Sequence, residues 1–315
     1  MKSAGLTTVW RASHGTFGTG DVPGHELGGG SGLNGSVLVL GGSGMLGRAV
    51  QVALRARGTP FHAPPRSDAD LLRPESLEAG IAAHATVINC AAWTDVDGAE
   101  AAEAAATQLN GHAVGALGAM CRKHGSFLVH YSTDYVFEGR GTSPYPIPTA
   151  HHPLNAYGRS KALGERLLAD EVSRGLNALV LRTSWLYAPW GKNFVRTIAG
   201  AARQRPVLRV VNDQRGRPTS CEVLAQTTLR LLDAGASGVM HATDGGEATW
   251  FDFATRIAAF ASKTCRVEPC SSSEYPRPAC RPAYSVLDLS RTEQLLGPLP
   301  LWTSSLDSVL SRLEL

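Results

Sequence analysis

Short, largely apolar segments alternate with stretches of helical periodicity through the first half of the sequence. Val37–Leu40 is continuously apolar, and apolar side chains then repeat at helical spacing over residues 45–57. Further apolar segments at 86–92, 127–132 and 178–182 are separated by similar helical stretches. A continuously apolar strand is typical of a parallel sheet that is buried on both faces. The pattern therefore predicts an α/β fold with a doubly wound parallel sheet and right-handed crossovers.

The pattern becomes less regular after residue 184. Helices are expected around 194–202 and 222–232, and residues 238–242 are expected to return to the sheet. We therefore predict a sheet domain at 36–184 and a smaller, mainly substrate-binding lobe at 185–315 with segments that return to the first domain.

Several helices and helix starts are also marked in the sequence. The alanine-rich stretch 99–124 is expected to be one helical region. Thr249 and Ser290 each precede an acidic residue by three positions, which is the spacing of a capping box, and Thr303 is expected to cap the terminal helix.

Residues 1–35 differ in composition from the rest of the chain. They are rich in glycine, serine and threonine and show neither helical nor strand periodicity. We predict a disordered extension. A translated upstream region or a targeting tail is an alternative, although the glycine content and two acidic residues, Asp21 and Glu26, fit a transit peptide poorly.

Composition limits the classes of function. The chain has 315 residues, 43% of them hydrophobic and 18% charged, which suits one large or two modest globular domains. Its net charge of +3 is not gathered into runs of lysine and arginine, which argues against a nucleic-acid partner or a polybasic membrane surface. The sequence shows no membrane span, no secretory signal and no Cys-x-x-Cys pair among its six cysteines. We therefore expect a soluble, cytoplasmic protein with reduced cysteines.

A glycine-rich turn joins the first predicted strand to the first predicted helix. It reads Gly41-Gly42-Ser43-Gly44-Met45-Leu46-Gly47. Glycines here let the backbone approach a pyrophosphate, the helix N-terminus supplies free N–H groups, and the last glycine permits close helix packing. This Gly-x-x-Gly-x-x-Gly turn between a strand and a helix predicts an NAD(P)-binding, Rossmann-type domain.

The residues after the second predicted strand bear on the choice of cofactor. This strand, near residues 60–63, ends without the acidic residue that usually accepts the ribose hydroxyls of NAD, and Arg66 follows. A guanidinium can bind a 2′-phosphate bidentately, so Arg66 favours NADPH over NADH, which stays possible. Arg66 could equally be a solvated loop residue. Asp70 and Leu71 are candidates for contact with the adenine end of the cofactor.

Tyr157 and Lys161 lie four residues apart on a helix that is predicted to start at Asn155. Residues at this spacing share one helix face, so both can contact one bound molecule. A neighbouring cation favours the phenolate, and we expect Lys161 to lower the pKa of Tyr157 toward the working range. The pair would then suit proton transfer to an oxyanion, although the same spacing also arises by chance on exposed helices.

Six segments follow one another in a fixed order. They are NCAAWTDVDGAE at 89–100, YSTDYVF at 131–137, NAYGRSK at 155–161, RTSWLY at 182–187, NDQRGRPT at 212–219 and RP at 281–282. Together with the glycine-rich turn, they resemble the dTDP-4-dehydrorhamnose reductase family of the extended short-chain dehydrogenase/reductases. The resemblance extends from residue 36 to the C-terminus, and six ordered segments are far more specific than any one motif.

The resemblance implies a reductive site. Tyr157 would donate a proton, Lys161 would tune it and hold the nicotinamide ribose, and Thr133 would hydrogen-bond the sugar carbonyl. The reaction would reduce the C4 ketone of dTDP-4-dehydro-6-deoxy-L-mannose to dTDP-L-rhamnose by hydride transfer from NAD(P)H.

Matching positions also imply binding residues. Contacts with the sugar nucleotide are expected from Val96, Thr133, Asp134, Trp185 and Arg281. Contacts with the cofactor are expected from Gly44, Met45, Leu46, Asp70, Leu71, Ala92, Trp93, Thr94 and Tyr131, beside Gly41 and Gly47 of the turn. Two of these roles stay open, because Trp185 could be a core residue and Arg281 could be a solvated charge instead of a phosphate clamp.

The sequence departs from the family where some members hold a metal between two subunits. Those members use carboxylates, one of them on the first helix, and this chain has Ala49 at that place. We therefore expect no metal, and a monomer or weak homodimer. His151 and His152 have no third ligand near them and are expected to be loop residues. Asp97 and Glu100 are expected to complement a helix dipole.

Two other functions stay open. Related dehydratases use a Thr-Asp-Glu arrangement, and Tyr135 at its third position disfavours dehydration here. A 4-ketoreductase for another nucleotide-linked 6-deoxysugar would have nearly the same sequence. A non-catalytic, NADP-binding regulatory subunit that resembles the β subunit of methionine adenosyltransferase would share the fold without the chemistry.

Overall fold

The computed structural model describes residues 35–313, which form twelve strands and eleven α-helices. The strands are β1 (Val37–Leu40), β2 (Phe61–His62), β3 (Thr86–Asn89), β4 (Phe127–Thr133), β5 (Ala178–Thr183), β6 (Leu186–Tyr187), β7 (Val207–Val211), β8 (Arg215–Gly216), β9 (Thr219–Ser220), β10 (Gly238–His241), β11 (Ala248–Thr249) and β12 (Arg266–Cys270). The helices are α1 (Met45–Ala56), α2 (Glu78–Ala82), α3 (Val96–Ala101), α4 (Glu103–Thr107), α5 (Ala113–His124), α6 (Ala156–Ser173), α7 (Phe194–Gln204), α8 (Cys221–Asp233), α9 (Trp250–Ala261), α10 (Ser290–Leu296) and α11 (Trp302–Leu310). The predicted extension falls outside the described residues, apart from Gly35.

Six strands form one sheet in the order β10-β5-β4-β3-β1-β2, and every pair in it is parallel. Leu40 pairs with Asn89, Asn89 with His130, and His130 with Val180. The strands therefore end at one common edge, where their following loops meet. The predicted α/β fold with a doubly wound parallel sheet is confirmed.

Both faces of the sheet are covered by helices. On β1, Val37 and Val39 pack into a core shared with α1 and α8, whereas Leu38 and Leu40 pack into a second core shared with α2, α5 and α6. Successive side chains of a strand point to opposite faces, so a strand covered on both sides must be apolar at every position. This is the physical reason for the uninterrupted apolar run at Val37–Leu40.

A third core lies in the C-terminal part of the chain. Helices α7, α9 and α11 contribute to it, and β7 pairs with β12 in parallel beside them. Strand β10 from this half of the chain pairs with β5 in the main sheet. The division into two domains at residue 184 stays a prediction.

The helical region expected at 99–124 is made of several segments. It contains the end of α3, then α4, a π-helical turn at Gln108–His112, and α5. Within the π-turn, Asn110 accepts a hydrogen bond from the Trp93 N–H at 2.8 Å and donates to the Ser160 Oγ at 3.0 Å. The π-turn is the local feature that places this side chain between two other segments, as such turns often do near functional sites.

The predicted helix starts had mixed outcomes. Thr249 and Asp252 form the predicted capping box of α9. Ser290 is the first residue of α10 and not its cap, because its hydroxyl donates to the Asp288 carboxylate. Thr303 lies within α11, whose cap position is occupied by Leu301. Both of these cap predictions were therefore wrong. Ser290 is bound to a neighbouring carboxylate, and Thr303 lies after the residue at which α11 begins.

None of the helices in the described part of the chain is both long and apolar enough to cross a bilayer.

Candidate functional site

A cavity of about 730 Å³ opens at the edge of the sheet where the strands end. Its wall combines the glycine-rich turn after β1 with the residues at the ends of β3, β4 and β5 and with loops of the C-terminal half. The volume is in the range of cofactor and small-molecule sites, and ligands of doubly wound sheets bind at this edge.

Most of the residues predicted from the sequence line this cavity. They are Gly41, Gly44, Met45, Leu46, Arg66, Asp70, Leu71, Ala92, Thr94, Val96, Tyr131, Thr133, Asp134, Tyr157, Lys161, Trp185 and Arg281. Two predicted residues lie elsewhere, Gly47 beneath the turn and Trp93 beside α3. The Trp93 indole donates to the Asp95 carbonyl at 2.8 Å and packs against a small core of Ala99, Ala106 and Ala156, and this side chain does not line the cavity.

The glycine-rich turn is shaped for close approach of a ligand. A Cβ atom at Gly41, where φ is 72°, would lie 2.6 Å from the Ala91 N, and one at Gly47 would lie 2.2 Å from the Gly41 O. Among the described residues, no side chain caps α1, and its first turn contains no acidic residue. The positive end of the helix dipole and its N–H groups therefore serve a bound anion, and the turn fits the pyrophosphate of a dinucleotide.

Arg66 stands on the exposed rim of the cavity, with 71% of its side chain accessible. Its Nε donates to the Asp70 Oδ2 at 3.2 Å. The pKa of Asp70 is lowered, first by the hydrogen bond from the Leu72 N–H and then by Arg66. Because this contact uses Nε, the guanidinium can still offer its terminal nitrogens to a phosphate.

Tyr157 enters the cavity from the first turn of α6. The Asn155 side chain caps this helix by accepting from the Gly158 N–H at 2.8 Å. Desolvation raises the pKa of Tyr157 to about 12, and the Thr133 hydroxyl acts in the opposite direction. This corrects the expectation that Lys161 lowers the pKa of the phenol, because here desolvation outweighs the favourable neighbours.

Lys161 lies one turn further along α6 and is 2% exposed. Its Nζ donates to the Tyr131 carbonyl oxygen at 2.5 Å and lies 3.2 Å from the His130 Nε2. Burial lowers the pKa of Lys161 to about 8, and the Glu165 carboxylate opposes that change. The amine of Lys161 is thus held against β4 and can change its charge near neutral pH.

Thr133 and Asp134 end β4 beside the phenol. The Thr133 hydroxyl donates to the Asp134 Oδ1 at 2.9 Å and accepts from the Tyr135 N–H at 3.2 Å. Burial raises the pKa of Asp134 to about 7. When Asp134 is protonated, it can donate to Thr133, which frees the Thr133 proton for an acceptor in the cavity.

Two stacked indoles form the wall contributed by the C-terminal half. Trp185 has a φ of 48° and is the one non-glycine residue with positive φ within the described range. Its ring stacks on Trp250 with centroids 3.6 Å apart and planes 8° apart, and both rings line the cavity. Gly216 lies against the edge of Trp185, where a Cβ would come within 2.7 Å of Cε2. A strained backbone at a cavity wall is typical of a position fixed by its surroundings.

Arg281 lines the cavity and forms an ion pair with Asp97, while its contact with the sugar nucleotide stays a prediction. Its guanidinium donates to both oxygens of Asp97, at 2.8 and 3.0 Å. Asp97 lies in the first turn of α3, where Asp95 is the cap, and its pKa is lowered by Arg281 against an opposing effect of burial. The pair ties a late loop, which contributes Arg281 to the cavity wall, to α3.

His151 is part of a buried ion-pair cluster beneath the site. Its Nε2 lies 3.1 Å from the Glu165 Oε2, and Glu165 also accepts from the Arg182 guanidinium at 2.7 Å. Within residues 35–313, no group of three or more His, Cys, Asp or Glu side chains is placed to hold a metal ion. The absence of a bound metal stays a prediction.

Sequence reasoning missed several residues of the cavity wall. Trp250, Lys192 and Asn193 all line it from the C-terminal half. Asn193 accepts from the Arg196 N–H as the cap of α7, which a polar residue before the apolar helix pattern could have indicated. Trp250 directly follows the Thr249 cap, but no local signal links it to Trp185, which is far away in sequence.

The fold and site together define a Rossmann-type, extended short-chain dehydrogenase/reductase, with a dinucleotide turn and a Thr-Tyr-Lys arrangement at one sheet edge. The chain belongs to the family described as RmlD substrate binding domain, whose model matches residues 35–315.

Individual relatives agree with this family. The chain is 40% identical over 273 residues to dTDP-4-keto-6-deoxy-D-glucose reductase of Streptomyces niveus, covering 85% of this chain and 94% of the relative. It is also 40% identical over 286 residues to dTDP-4-dehydrorhamnose reductase of Burkholderia thailandensis, covering 84% and 95%. The crystal structure of dTDP-4-dehydrorhamnose reductase from Bacillus anthracis in complex with NADP superimposes with a TM-score of 0.83 at 29% identity, covering 88% of this chain and 99% of that one.

Proposed function

We propose that this protein is an NADPH-dependent oxidoreductase that reduces the C4 ketone of dTDP-4-dehydro-6-deoxy-L-mannose to dTDP-L-rhamnose. The observation that carries the proposal is the convergence of Thr133, Tyr157 and Lys161 on the same cavity as the glycine-rich turn. The family and the names of the relatives support a dTDP-linked keto-sugar as substrate, and the NADP complex of a relative supports the cofactor.

A reduced nicotinamide, when bound, supplies the hydride equivalent for C4. The turn at Gly41 and Gly44 would hold the pyrophosphate, and Lys161 would bind the nicotinamide ribose. Further contacts are proposed for Met45, Leu46, Asp70, Leu71, Ala92, Thr94 and Tyr131.

Tyr157 is the proposed general acid. With a pKa of about 12 it is protonated at neutral pH, which is the form that reduction requires. A sugar alkoxide is more basic than a phenolate, so proton transfer from Tyr157 to the new alkoxide remains favourable. Thr133 would donate to the ketone oxygen and polarise it, and protonated Asp134 would supply the Thr133 oxygen with its own hydrogen bond.

The direct test is oxidation of NADPH by the purified protein with enzymatically generated dTDP-4-dehydro-6-deoxy-L-mannose, followed by identification of the product. Formation of dTDP-L-rhamnose would establish the proposed reaction. Binding of NADPH without oxidation would contradict it for this sugar.

A second substrate is favoured by one finding. The identity to the Streptomyces niveus reductase equals that to the Burkholderia thailandensis reductase, at 40% each. The same assay with dTDP-4-keto-6-deoxy-D-glucose therefore belongs beside the first. A higher kcat/KM for this sugar would assign the protein to the reduction of another 6-deoxyhexose.

The remaining expectations about the protein's surroundings stay predictions from the sequence. They are a cytoplasmic location, a monomer or weak homodimer, and partners limited to the cofactor and the sugar nucleotide.

Replacing Arg66 with alanine will weaken NADPH binding about 10-fold and leave NADH binding unchanged, because a charge-assisted contact with the 2′-phosphate is worth about 1.5–3 kcal/mol before solvent screening. The measurement is the dissociation constant of each cofactor by fluorescence titration. Arg73→Ala is the matched control, since Arg73 is also exposed and near Asp70 but does not line the cavity. Equal weakening by both variants would contradict a specific role for Arg66.

Replacing Gly216 with alanine will lower kcat/KM for the sugar nucleotide by roughly 10- to 100-fold, because the new Cβ displaces the Trp185 indole from Trp250. NADPH affinity should change little, since Trp185 is a proposed contact of the sugar nucleotide and the cofactor is expected at the glycine-rich turn. Gly200→Ala is the control, because a Cβ there meets nothing within 4 Å. Unchanged steady-state kinetics in the Gly216 variant would show that the position of the indole does not matter to the substrate.

A further inference from the structure

A chain of hydrogen bonds runs through the sheet to Lys161. The first donor in this chain determines which atom donates in each of the following contacts. The Ala91 backbone N–H donates to the Asn89 Oδ1 at 3.0 Å. A backbone N–H can only donate, so this contact identifies the oxygen of the Asn89 amide. The other end of that amide, Nδ2, lies 3.2 Å from the His130 Nδ1 and must donate to it.

This contact determines the tautomer of His130. The side chain is 1% exposed, and burial holds its pKa well below the ordinary value. His130 is therefore neutral and carries a single ring proton. Because Nδ1 accepts from Asn89, that proton must be on Nε2, the nitrogen that faces the Lys161 Nζ at 3.2 Å.

An N–H group that points at Lys161 distinguishes its two protonation states. The charged ammonium has only donors, so the His130 N–H opposes it. The uncharged amine has a lone pair that accepts from the His130 Nε2–H while an amine N–H donates to the Tyr131 carbonyl oxygen.

We propose that Asn89 and His130 are positioning residues for Lys161: they place a ring N–H against its nitrogen and so favour the uncharged amine in the resting protein. They touch neither substrate nor cofactor in this role. They act through Lys161, whose charge can then change near neutral pH during the reaction.

The other charged groups around Lys161 do not replace this effect. On its own helix, Tyr157 lies one turn before it and Glu165 one turn after it. The Glu165 carboxylate favours the ammonium, but it is already bound by Arg182, His151 and the Ser132 hydroxyl. The His130 ring, which β4 supplies, is thus the titratable group that faces the amine directly.

The test reads protonation directly by NMR and needs no turnover, so it can fail while the proposed reductase activity holds, and the reverse. The sequence has five lysines, which makes selective ¹³C labelling at Cε practical, and Lys161→Arg assigns the signal. Long-range ¹H–¹⁵N spectra of the wild-type protein report the His130 tautomer, with His130→Gln for assignment. We expect the Nε2–H form, and an Nδ1–H form would overturn the proposal.

The isosteric variant Asn89→Asp reverses the chain. Its second oxygen accepts from the His130 Nδ1–H, so Nε2 becomes an acceptor for the Lys161 ammonium. We expect the proton to move to Nδ1 and the titration midpoint of Lys161 to rise by about one pH unit or more. The control is Asn212→Asp, which adds the same charge at an exposed position. It should leave the His130 tautomer and the Lys161 titration midpoint unchanged.

Two results in this variant would overturn the proposal. One is an unchanged Lys161 midpoint. The other is a raised midpoint with the Nε2–H tautomer retained, because the added charge alone would then explain it. If Asn89→Asp does not fold, the tautomer of the wild-type protein still decides.

Discussion

Replacing Tyr157 with phenylalanine will lower kcat for keto-sugar reduction by about 10²- to 10⁴-fold, which is the usual contribution of a positioned general acid. The variant loses only the phenolic oxygen, the atom proposed to protonate the C4 alkoxide. The ring remains to pack against the small core formed by Ala99, Ala106 and Ala156. NADPH affinity should therefore be nearly unchanged. The measurement combines single-turnover oxidation of NADPH with a fluorescence titration of the cofactor.

The control for this substitution is Tyr275→Phe, which makes the same chemical change at an exposed tyrosine outside the cavity. Full activity in the control with loss in Tyr157→Phe would assign the effect to the site. If Tyr157→Phe kept more than a tenth of the wild-type kcat, another group would have to supply the proton.

Replacing Arg182 with methionine will cost about 3–5 kcal/mol of the free energy of unfolding at pH 7, because it leaves the Glu165 carboxylate buried without its cation. The two side chains are 5% and 4% exposed, and the guanidinium donates to Glu165 from Nε and a terminal nitrogen at 2.7–3.1 Å. Urea unfolding measures the loss. The double variant Arg182→Met with Glu165→Gln should recover much of it, since no buried charge then remains.

The pH dependence of this loss follows from the carboxylate. In the native protein the pKa of Glu165 lies far below its ordinary value; burial opposes this shift, while hydrogen bonds and charges from His151 and Arg182 outweigh it. A depressed folded-state pKa adds stability above the unfolded pKa, near 4.3, and that stability is lost as the pH falls below it. The difference between wild type and Arg182→Met should therefore shrink in acid. A difference that stays constant from pH 7 to pH 4 would contradict the assignment to Glu165.

Local features of the sequence predicted much of the fold. The run Val37–Leu40, the glycine-rich turn and the periodic helix after it follow from short-range sterics and from burial on both faces of a strand. The capping box at Thr249 follows equally from a local hydrogen bond. The predicted capping box of Ser290 with Glu293 and the predicted cap at Thr303 show the limit of this reasoning. A neighbouring carboxylate or the path of the chain can set the helix start instead.

The candidate site divides in the same way. Motif spacing was enough to bring Thr133, Tyr157 and Lys161 to one sheet edge, since parallel strands end together and a helix face repeats every four residues. The burial and the neighbours of these side chains could not be predicted from the spacing of the motifs. The expected lowering of the Tyr157 pKa failed because desolvation depends on what surrounds the phenol in space. The hydrogen bond from the Trp93 indole to the Asp95 carbonyl was not indicated by spacing either, and the contact of Trp93 with the cofactor stays a prediction.

The sequence by itself therefore determined the sheet, the dinucleotide turn and the order of the chemical groups, because these depend on neighbours within a few residues. Only the tertiary structure decided which distant side chains meet. It stacked Trp185 on Trp250, paired Asp97 with Arg281, and placed the Asn89 amide against one ring nitrogen of His130 and the Lys161 amine against the other. Such contacts join residues that are far apart along the chain, and the packing of whole elements, not any local propensity, sets their distances and their charges.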